Sequence, residues 1–250
     1  MAPRDSTVPA DVSDPHMMID THNLTKGFPM TTNLLLIRHG FTDYVAAHRM
    51  PGWQRGIHLN DEGRAQAAAL ARRLADVKLA AIYSSPLERA VETATPLAEE
   101  RGLTIQVRWD LGDLHPGDWT GRTVNELEHE ELWPIIQAYP SGVRLPGGES
   151  FQGCQARVVA ELDAIRTAHP GQTVAIVSHA DPIKVAVAYY VGVPLDLFQR
   201  LSISPASVTA LAFQRLGPRL VCLNYTDPLV IEDPHQGMRE AKQAADAQEV

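Results

Sequence analysis

Two stretches of this chain run apolar and then stop abruptly at histidine. One is Leu34-Leu35-Leu36-Ile37-Arg38-His39-Gly40-Phe41-Thr42 and the other is Thr173-Val174-Ala175-Ile176-Val177-Ser178-His179. A neutral imidazole is a competent nucleophile near pH 7, and a guanidinium beside it can hold a phosphoryl oxygen through a charge-assisted fork. Each apolar run reads as a buried strand. In open α/β sheets, ligands bind just beyond the carboxyl ends of the strands. If the two strands are neighbours in a parallel sheet, their ends lie about 5 Å apart, and both imidazoles look into one cleft. Gly40 would let the backbone turn close to a ligand there. Arg38 enters that cleft from a strand end, and Arg89 can enter it from the start of a helix. Two guanidiniums and two imidazoles around one point suit a dianionic phosphoryl group, whose transfer spreads negative charge over its equatorial oxygens.

The elements that must position these groups follow from periodicity and breakers. After the Arg-His-Gly turn, residues 43–60 read as a loop. Asn60 or Asp61 caps a helix to about Ala75, with Ala67, Leu70, Ala71 and Leu74 on one face. Ala80 to Ser84 is a second strand, and Ser85-Pro86 is expected to open the helix that carries Arg89. Thr104 to Arg108 is a third strand, and Asp110 to Arg122 a loop. A helical stretch from Val124 to Ala138 should be kinked or divided by Pro134. A long helix begins at Glu149-Ser150, with Glu149 expected to favour the helix start. The strand ending at His179 is followed by a helix opened by Pro182 and stopped by Gly192. Two closing strands flank a turn expected at Gly217-Pro218. Strands alternating with helices indicate one α/β domain, a sheet covered on both faces.

Bulk properties narrow the function classes. The chain has 250 residues, 44% hydrophobic and 21% charged, and a formal net charge of -8. That balance fits a globular protein and argues against general nucleic-acid binding through a basic surface. No apolar run approaches the length needed to span a bilayer. The two cysteines, Cys154 and Cys222, lack metal-ligand spacing, and a reduced, cytoplasmic setting with both thiols as buried fillers is the simplest expectation. Residues 1–30, with Pro3, Pro9, Pro15 and Pro29, read as a flexible arm. Residues 31–226 form the domain, and residues 227–250 form a polar tail. Whether Met1 or Met30 is the biological start is left open.

The ordered motifs resemble the histidine phosphatase superfamily, the branch that includes cofactor-dependent phosphoglycerate mutase and its phosphatase relatives. They are Leu36-Ile37-Arg38-His39-Gly40-Phe41-Thr42, Gly52-Trp53, Leu59 to Ala67, Ser84 to Ala94, Gly117-Asp118-Trp119-Thr120-Gly121, Pro146-Gly147-Gly148-Glu149-Ser150 and Val177-Ser178-His179-Ala180-Asp181. The resemblance implies a three-layer α/β/α sandwich around a mostly parallel sheet with an antiparallel edge strand. It implies that His39 is the nucleophile that becomes phosphohistidine, and that Arg38, Arg89 and His179 bind and stabilise the transferring group. Thr42 and Ala180 join the substrate contacts. Asp113 falls where the family carries its proton donor, usually glutamate, before the Gly-x-Trp segment. No metal or other cofactor is implied.

Three departures stand out. Phe41 replaces a frequent glutamate, Val45 replaces a phosphate-binding asparagine, and Asp113 is one methylene shorter than the usual donor. Asp118 or Asp181 is therefore kept as an alternative acid. The expected activity is metal-independent hydrolysis of small phosphomonoesters. A phosphoglycerate mutase-type transferase and a catalytically silent phosphate-binding protein are the alternatives, and the short stretch from Gly121 to Gly148 favours the phosphatase over the mutase. The partner is a small-molecule phosphate ester, with no nucleic acid or membrane, and a homodimer is left open. Trp53 and Trp119 are expected to pack or line the cleft. Trp53, Leu132, Trp133 and Tyr139 either hint at a partly apolar leaving group or belong to the core.

Overall fold

A computed structural model of the chain describes residues 31–226. The arm and tail expected at residues 1–30 and 227–250 lie outside the described residues. Six strands, β1 (Thr32–Arg38), β2 (Ala81–Ser84), β3 (Ile105–Val107), β4 (Thr173–Ser178), β5 (Val208–Gln214) and β6 (Gly217–Tyr225), make one sheet in the order β3-β2-β4-β1-β5-β6. The first four run parallel, and β1 lies beside β4 with Arg38 opposite Ser178. β5 runs against β1, and β6 returns outside it as the edge strand. The strand opposed to the parallel set therefore sits one place in from the margin.

Alternation along the strands divides the core into two layers. Leu34 and Leu36 of β1, with Val174 and Ile176 of β4, pack against residues of α6 (Phe151–Ala168) and α7 (Ala180–Val191). Leu35, Ile37, Ala175 and Val177 face the other way, onto α2 (Asp61–Arg73) and α3 (Glu88–Glu99). This is the three-layer α/β/α sandwich. The central strands are nearly continuous apolar runs because both of their faces are covered.

Local signals set most helix ends. Asn60 caps α2 by accepting from the Gly63 amide at 2.9 Å. Asp61 and Glu62 open that helix and Arg72 and Arg73 close it, complementing its dipole. Ser150, not Glu149, caps α6, with its Oγ accepting from the Gly153 amide; the Glu149 carboxylate is engaged by Arg157 and the His115 amide instead. Pro134 sits in the first turn of α5 (Trp133–Ala138), separated from α4 (Val124–Leu127), so the helical stretch is divided rather than kinked.

Other expectations are corrected. Ser85-Pro86 does not open α3, because the Ser85 amide still pairs with the Val177 carbonyl as an extension of the sheet, and Leu87 takes the cap position. Pro182 does not open α7, which starts two residues earlier at Ala180 with His179 as its cap. The β5–β6 turn falls at Arg215-Leu216, since Gly217 pairs with Gln214 and belongs to β6. Residues 43–60 are not wholly loop: the Thr42 hydroxyl accepts from the Val45 amide and nucleates the one-turn α1 (Asp43–Ala46).

The turn after β1 is held by backbone contact. The Gly40 amide donates to Thr93 Oγ1 of α3 at 2.9 Å, and the Phe41 amide donates to Gln66 Oε1 of α2 at 2.8 Å. A methyl carbon at Gly63 would lie 2.0 Å from the Phe41 carbonyl oxygen, and one at Gly40 would lie 2.8 Å from the Gly63 carbonyl oxygen. The glycine in the Arg-His-Gly turn is thus required by the approach of α2, a reason other than the closeness of a ligand. Gly63→Ala, seated in a helix where alanine is otherwise favoured, is expected to cost about 1–3 kcal/mol through overpacking and to lower activity by displacing His39. Denaturant unfolding and turnover of the purified variant check both effects.

Candidate active site

His39 follows the last residue of β1, and its amide continues the sheet by donating to the Ser178 carbonyl at 2.9 Å. His179 follows β4 directly. The register of the two strands therefore brings the two rings together, with centroids 5.2 Å apart. Both rings are buried. Nδ1–H of His39 donates to its neighbour's carbonyl, Gly40 O, at 2.7 Å, which fixes the tautomer and leaves Nε2 with its lone pair. Nε2 of His179 is 2.8 Å from Ser85 Oγ. Burial holds both imidazoles well below their usual pKa, and the Arg89 and Arg38 guanidiniums push in the same direction. Both are neutral at pH 7.

Arg89 lies in the first turn of α3 and is fully buried. Its Nη2 donates to the Gly52 carbonyl at 2.7 Å and to Asp113 Oδ2 at 3.0 Å. Its Nε and Nη1, like Nδ1 of His179, have no hydrogen-bond partner among the described residues. Arg38 ends β1 and is anchored by Nη1 to the Ile203 carbonyl at 2.6 Å.

Asp113 lies between two single turns of 3-10 helix, Trp109–Leu111 and Gly117–Trp119. Its Oδ1 accepts from the Leu114 amide, and its Oδ2 is 3.0 Å from Arg89 Nη2 and 3.6 Å from His179 Nδ1. Burial raises its pKa to about 6; the Arg89 cation opposes the rise and the Asp181 carboxylate adds to it. A carboxyl poised there can give up a proton or take one near neutrality.

Arg38, His39, Asp113 and His179 line a single cleft of about 220 Å³, joined by Ala180 and Asp181 from the start of α7. Arg89 does not line the cleft; its guanidinium lies behind it, paired with Asp113, which does. Thr42 is brought near but does not line the cleft; it is fully buried and its hydroxyl caps α1. Asp181 is at the cleft, but its carboxylate is 3.7 Å from Lys184 Nζ. Asp118 does not line it.

The walls differ from those expected. Trp53, Leu132, Trp133 and Tyr139 are not among the lining residues: Trp53 stacks between Trp109 and His115, Leu132 and Trp133 pack on the core, and Tyr139 is exposed. Val45, His48, Arg49, Met50, Leu114 and Val124 line the cleft in their place. His48 holds a left-handed φ of 48°, a strained conformation for a residue with a Cβ. The Arg49 amide and guanidinium are both tied down, to the Tyr44 and Gly121 carbonyls. Among the described residues no three His, Cys, Asp or Glu side chains cluster as a metal-binding group, and no helix is long and apolar enough to cross a membrane. A larger cavity of about 680 Å³ opens near Thr32, at the opposite end of β1, and holds none of these groups.

Comparison with known proteins places the chain among phosphatases. Phosphoserine phosphatase 1 of Hydrogenobacter thermophilus is 30% identical over 195 residues, covering 77% of this chain and 92% of that protein. A bifunctional protein of Mycobacterium tuberculosis is 32% identical over 222 residues, covering 84% of this chain; the chain spans only 60% of that longer relative. Among solved structures, mycobacterial glucosyl-3-phosphoglycerate phosphatase complexed with VO3 superposes with a TM-score of 0.71 at 30% identity, covering 78% of this chain and 99% of that one. The model of the histidine phosphatase superfamily (branch 1) matches residues 34–226. With that match spanning every residue of the cleft, the chain belongs to branch 1 of the histidine phosphatase superfamily.

Proposed function

We propose that this phosphomonoester hydrolase works by a two-step relay through His39. The observation that carries the reading is the meeting of two neutral imidazoles, 5.2 Å apart, with a buried guanidinium that binds a carboxyl of pKa about 6. In the first step Nε2 of His39 attacks phosphorus, the ester P–O bond breaks, and the Asp113 carboxyl gives its proton to the departing oxygen. In the second step the Asp113 carboxylate takes a proton from water. The water oxygen attacks phosphorus, the N–P bond breaks, and inorganic phosphate leaves with His39 neutral again.

The remaining residues act on charge. Arg38 and Arg89 are fixed cations for the equatorial oxygens, and in a buried site their field is little screened. Ser85 Oγ accepts from the Leu87 amide at 3.3 Å, and in the proposed relay its hydroxyl donates to His179 Nε2, 2.8 Å away. That places the ring proton of His179 on Nδ1, as a neutral donor to the phosphoryl group. The Ala180 amide at the start of α7 adds a backbone donor where the helix dipole favours an anion. An incoming dianion raises the Asp113 pKa further, which keeps the donor protonated until the ester oxygen needs its proton. The substrate class is a small phosphate monoester. Two free thiols, Cys154 and Cys222, suit a reducing, cytoplasmic setting.

Two measurements test the reading. Incubation with a panel of phosphate esters, with and without 2,3-bisphosphoglycerate, should release inorganic phosphate and leave an acid-labile phosphoenzyme after rapid quench. His39→Ala should abolish both. Phosphoglycerate isomer exchange without phosphate release would replace hydrolysis by transfer, and phosphate binding without turnover would replace catalysis by binding. The pH dependence has a defined sign. A raised carboxyl pKa means that the donor is protonated below about 6 in the free enzyme, so kcat/KM for an alkyl phosphate should fall about tenfold per pH unit above that value once corrected for substrate ionisation. Asp113→Asn should remove this dependence.

A further inference from the structure

Asp113 poses a positional problem. It lies in a segment with no regular hydrogen bonding of its own, yet a proton donor must be held within a fraction of an ångström of the oxygen it serves. We propose that Arg157 of α6, charge-paired with Glu149 and assisted by Trp53, is the positioning residue that sets the donor segment in its productive place. The proposal rests on Asp113 being the acid.

The contacts converge on the backbone of the donor segment. Arg157 Nη1 donates to the carbonyls of Asp110 and Gly112, each at 2.8 Å, and Nη2 donates to the carbonyl of Asp113 itself at 2.7 Å. Glu149 grips the same guanidinium at Nε and Nη2, at 3.1 and 2.6 Å, and also accepts from the His115 amide at 2.9 Å. From another element, Trp53 Nε1 donates to the Asp113 carbonyl at 2.6 Å. One backbone oxygen thus receives two side-chain N–H donors from opposite parts of the chain, and the residues on either side of Asp113 are held by the same ion pair.

Electrostatics explain why a paired arginine suits this task. A bare cation so near would favour the ionised carboxylate and spoil a proton donor. Here the guanidinium is compensated by Glu149, and its bonds to the segment end on peptide carbonyls. The carboxyl oxygens of Asp113 remain directed to the Leu114 amide, Arg89 and His179. Arg157 therefore fixes the backbone of the acid without hydrogen-bonding its carboxyl group.

The test separates positioning from general scaffolding by leaving group. An alkoxide needs the proton; 2,4-dinitrophenolate does not. Reading kcat/KM, which reports events up to the first P–O cleavage, Arg157→Met should lose on the order of 10- to 100-fold on an alkyl phosphate and change little on 2,4-dinitrophenyl phosphate. Trp53→Phe, which keeps the ring and deletes one donor, should show a smaller loss of the same selectivity. It decides the matter if Arg157→Met does not fold. Equal losses on both esters, or no loss on either, overturn the inference whenever Asp113→Asn is itself selective. An Asp113→Asn variant that treats both esters alike overturns the acid assignment, and the inference with it.

Discussion

The site depends on a guanidinium with no exposed surface. Burying a full charge is expensive unless the surroundings compensate it. Arg89 is compensated by one peptide carbonyl, at Gly52, and one carboxyl oxygen, of Asp113. The compensation is partial: Nε and Nη1 have no hydrogen-bond partner among the described residues, and burial raises the pKa of that carboxyl to about 6. The surplus positive potential is felt by every titratable group nearby. It helps to keep both imidazoles neutral, the states that the proposed relay needs of a nucleophile and a hydrogen-bond donor, and it favours an oxyanion in the same cleft. One buried cation thus couples the protonation states on which the chemistry turns.

The fold supplies the rigidity that such a charge requires. Parallel pairing of β1 with β4 sets the distance between the two rings. Gly40 against Gly63 sets the turn that carries the first ring, and α3 carries Arg89 in from the far side. The weakest natural support is under Asp113, and there side chains from α6 and from the loop before α2 replace regular backbone pairing. Precision is concentrated where it would otherwise be lowest.

Much of this was legible in the chain itself. Apolar runs ending in histidine identified β1 and β4, and the three-layer arrangement followed from the alternation of strands and helices. The ordered motifs by themselves point to His39, His179, Arg38, Arg89 and Asp113. The misses have local physical causes. The strength of Pro as a helix opener was outweighed at Pro86 by sheet pairing that runs on through Ser85, and at Pro182 by a helix already begun at Ala180. Glu149 and Ser150 both favour a helix start, and only the presence of Arg157 eight residues on decides which one caps. Thr42 is a polar residue beside the catalytic turn, but its hydroxyl satisfies a nearby amide. The cleft walls at His48, Arg49 and Met50 come from a loop segment without periodicity, and Val124 comes from the first position of the one-turn α4. The left-handed backbone at His48 and the bonds that tie Arg49 to the Tyr44 and Gly121 carbonyls hold that loop, and neither is visible in residue types.

The pairing of β1 with β4 also bears on how the protein comes into being. Partners such as Asn33 and Thr173 are far apart along the chain, so this contact can form only once synthesis has passed β4, with α7, β5 and β6 still to follow. A nascent polypeptide released from the ribosome as far as α5 already contains Arg38, His39, Arg89 and Asp113, yet it has neither the strand that sets their spacing nor the second ring. Until β4 joins β1, the arrangement that sets the two rings 5.2 Å apart does not exist.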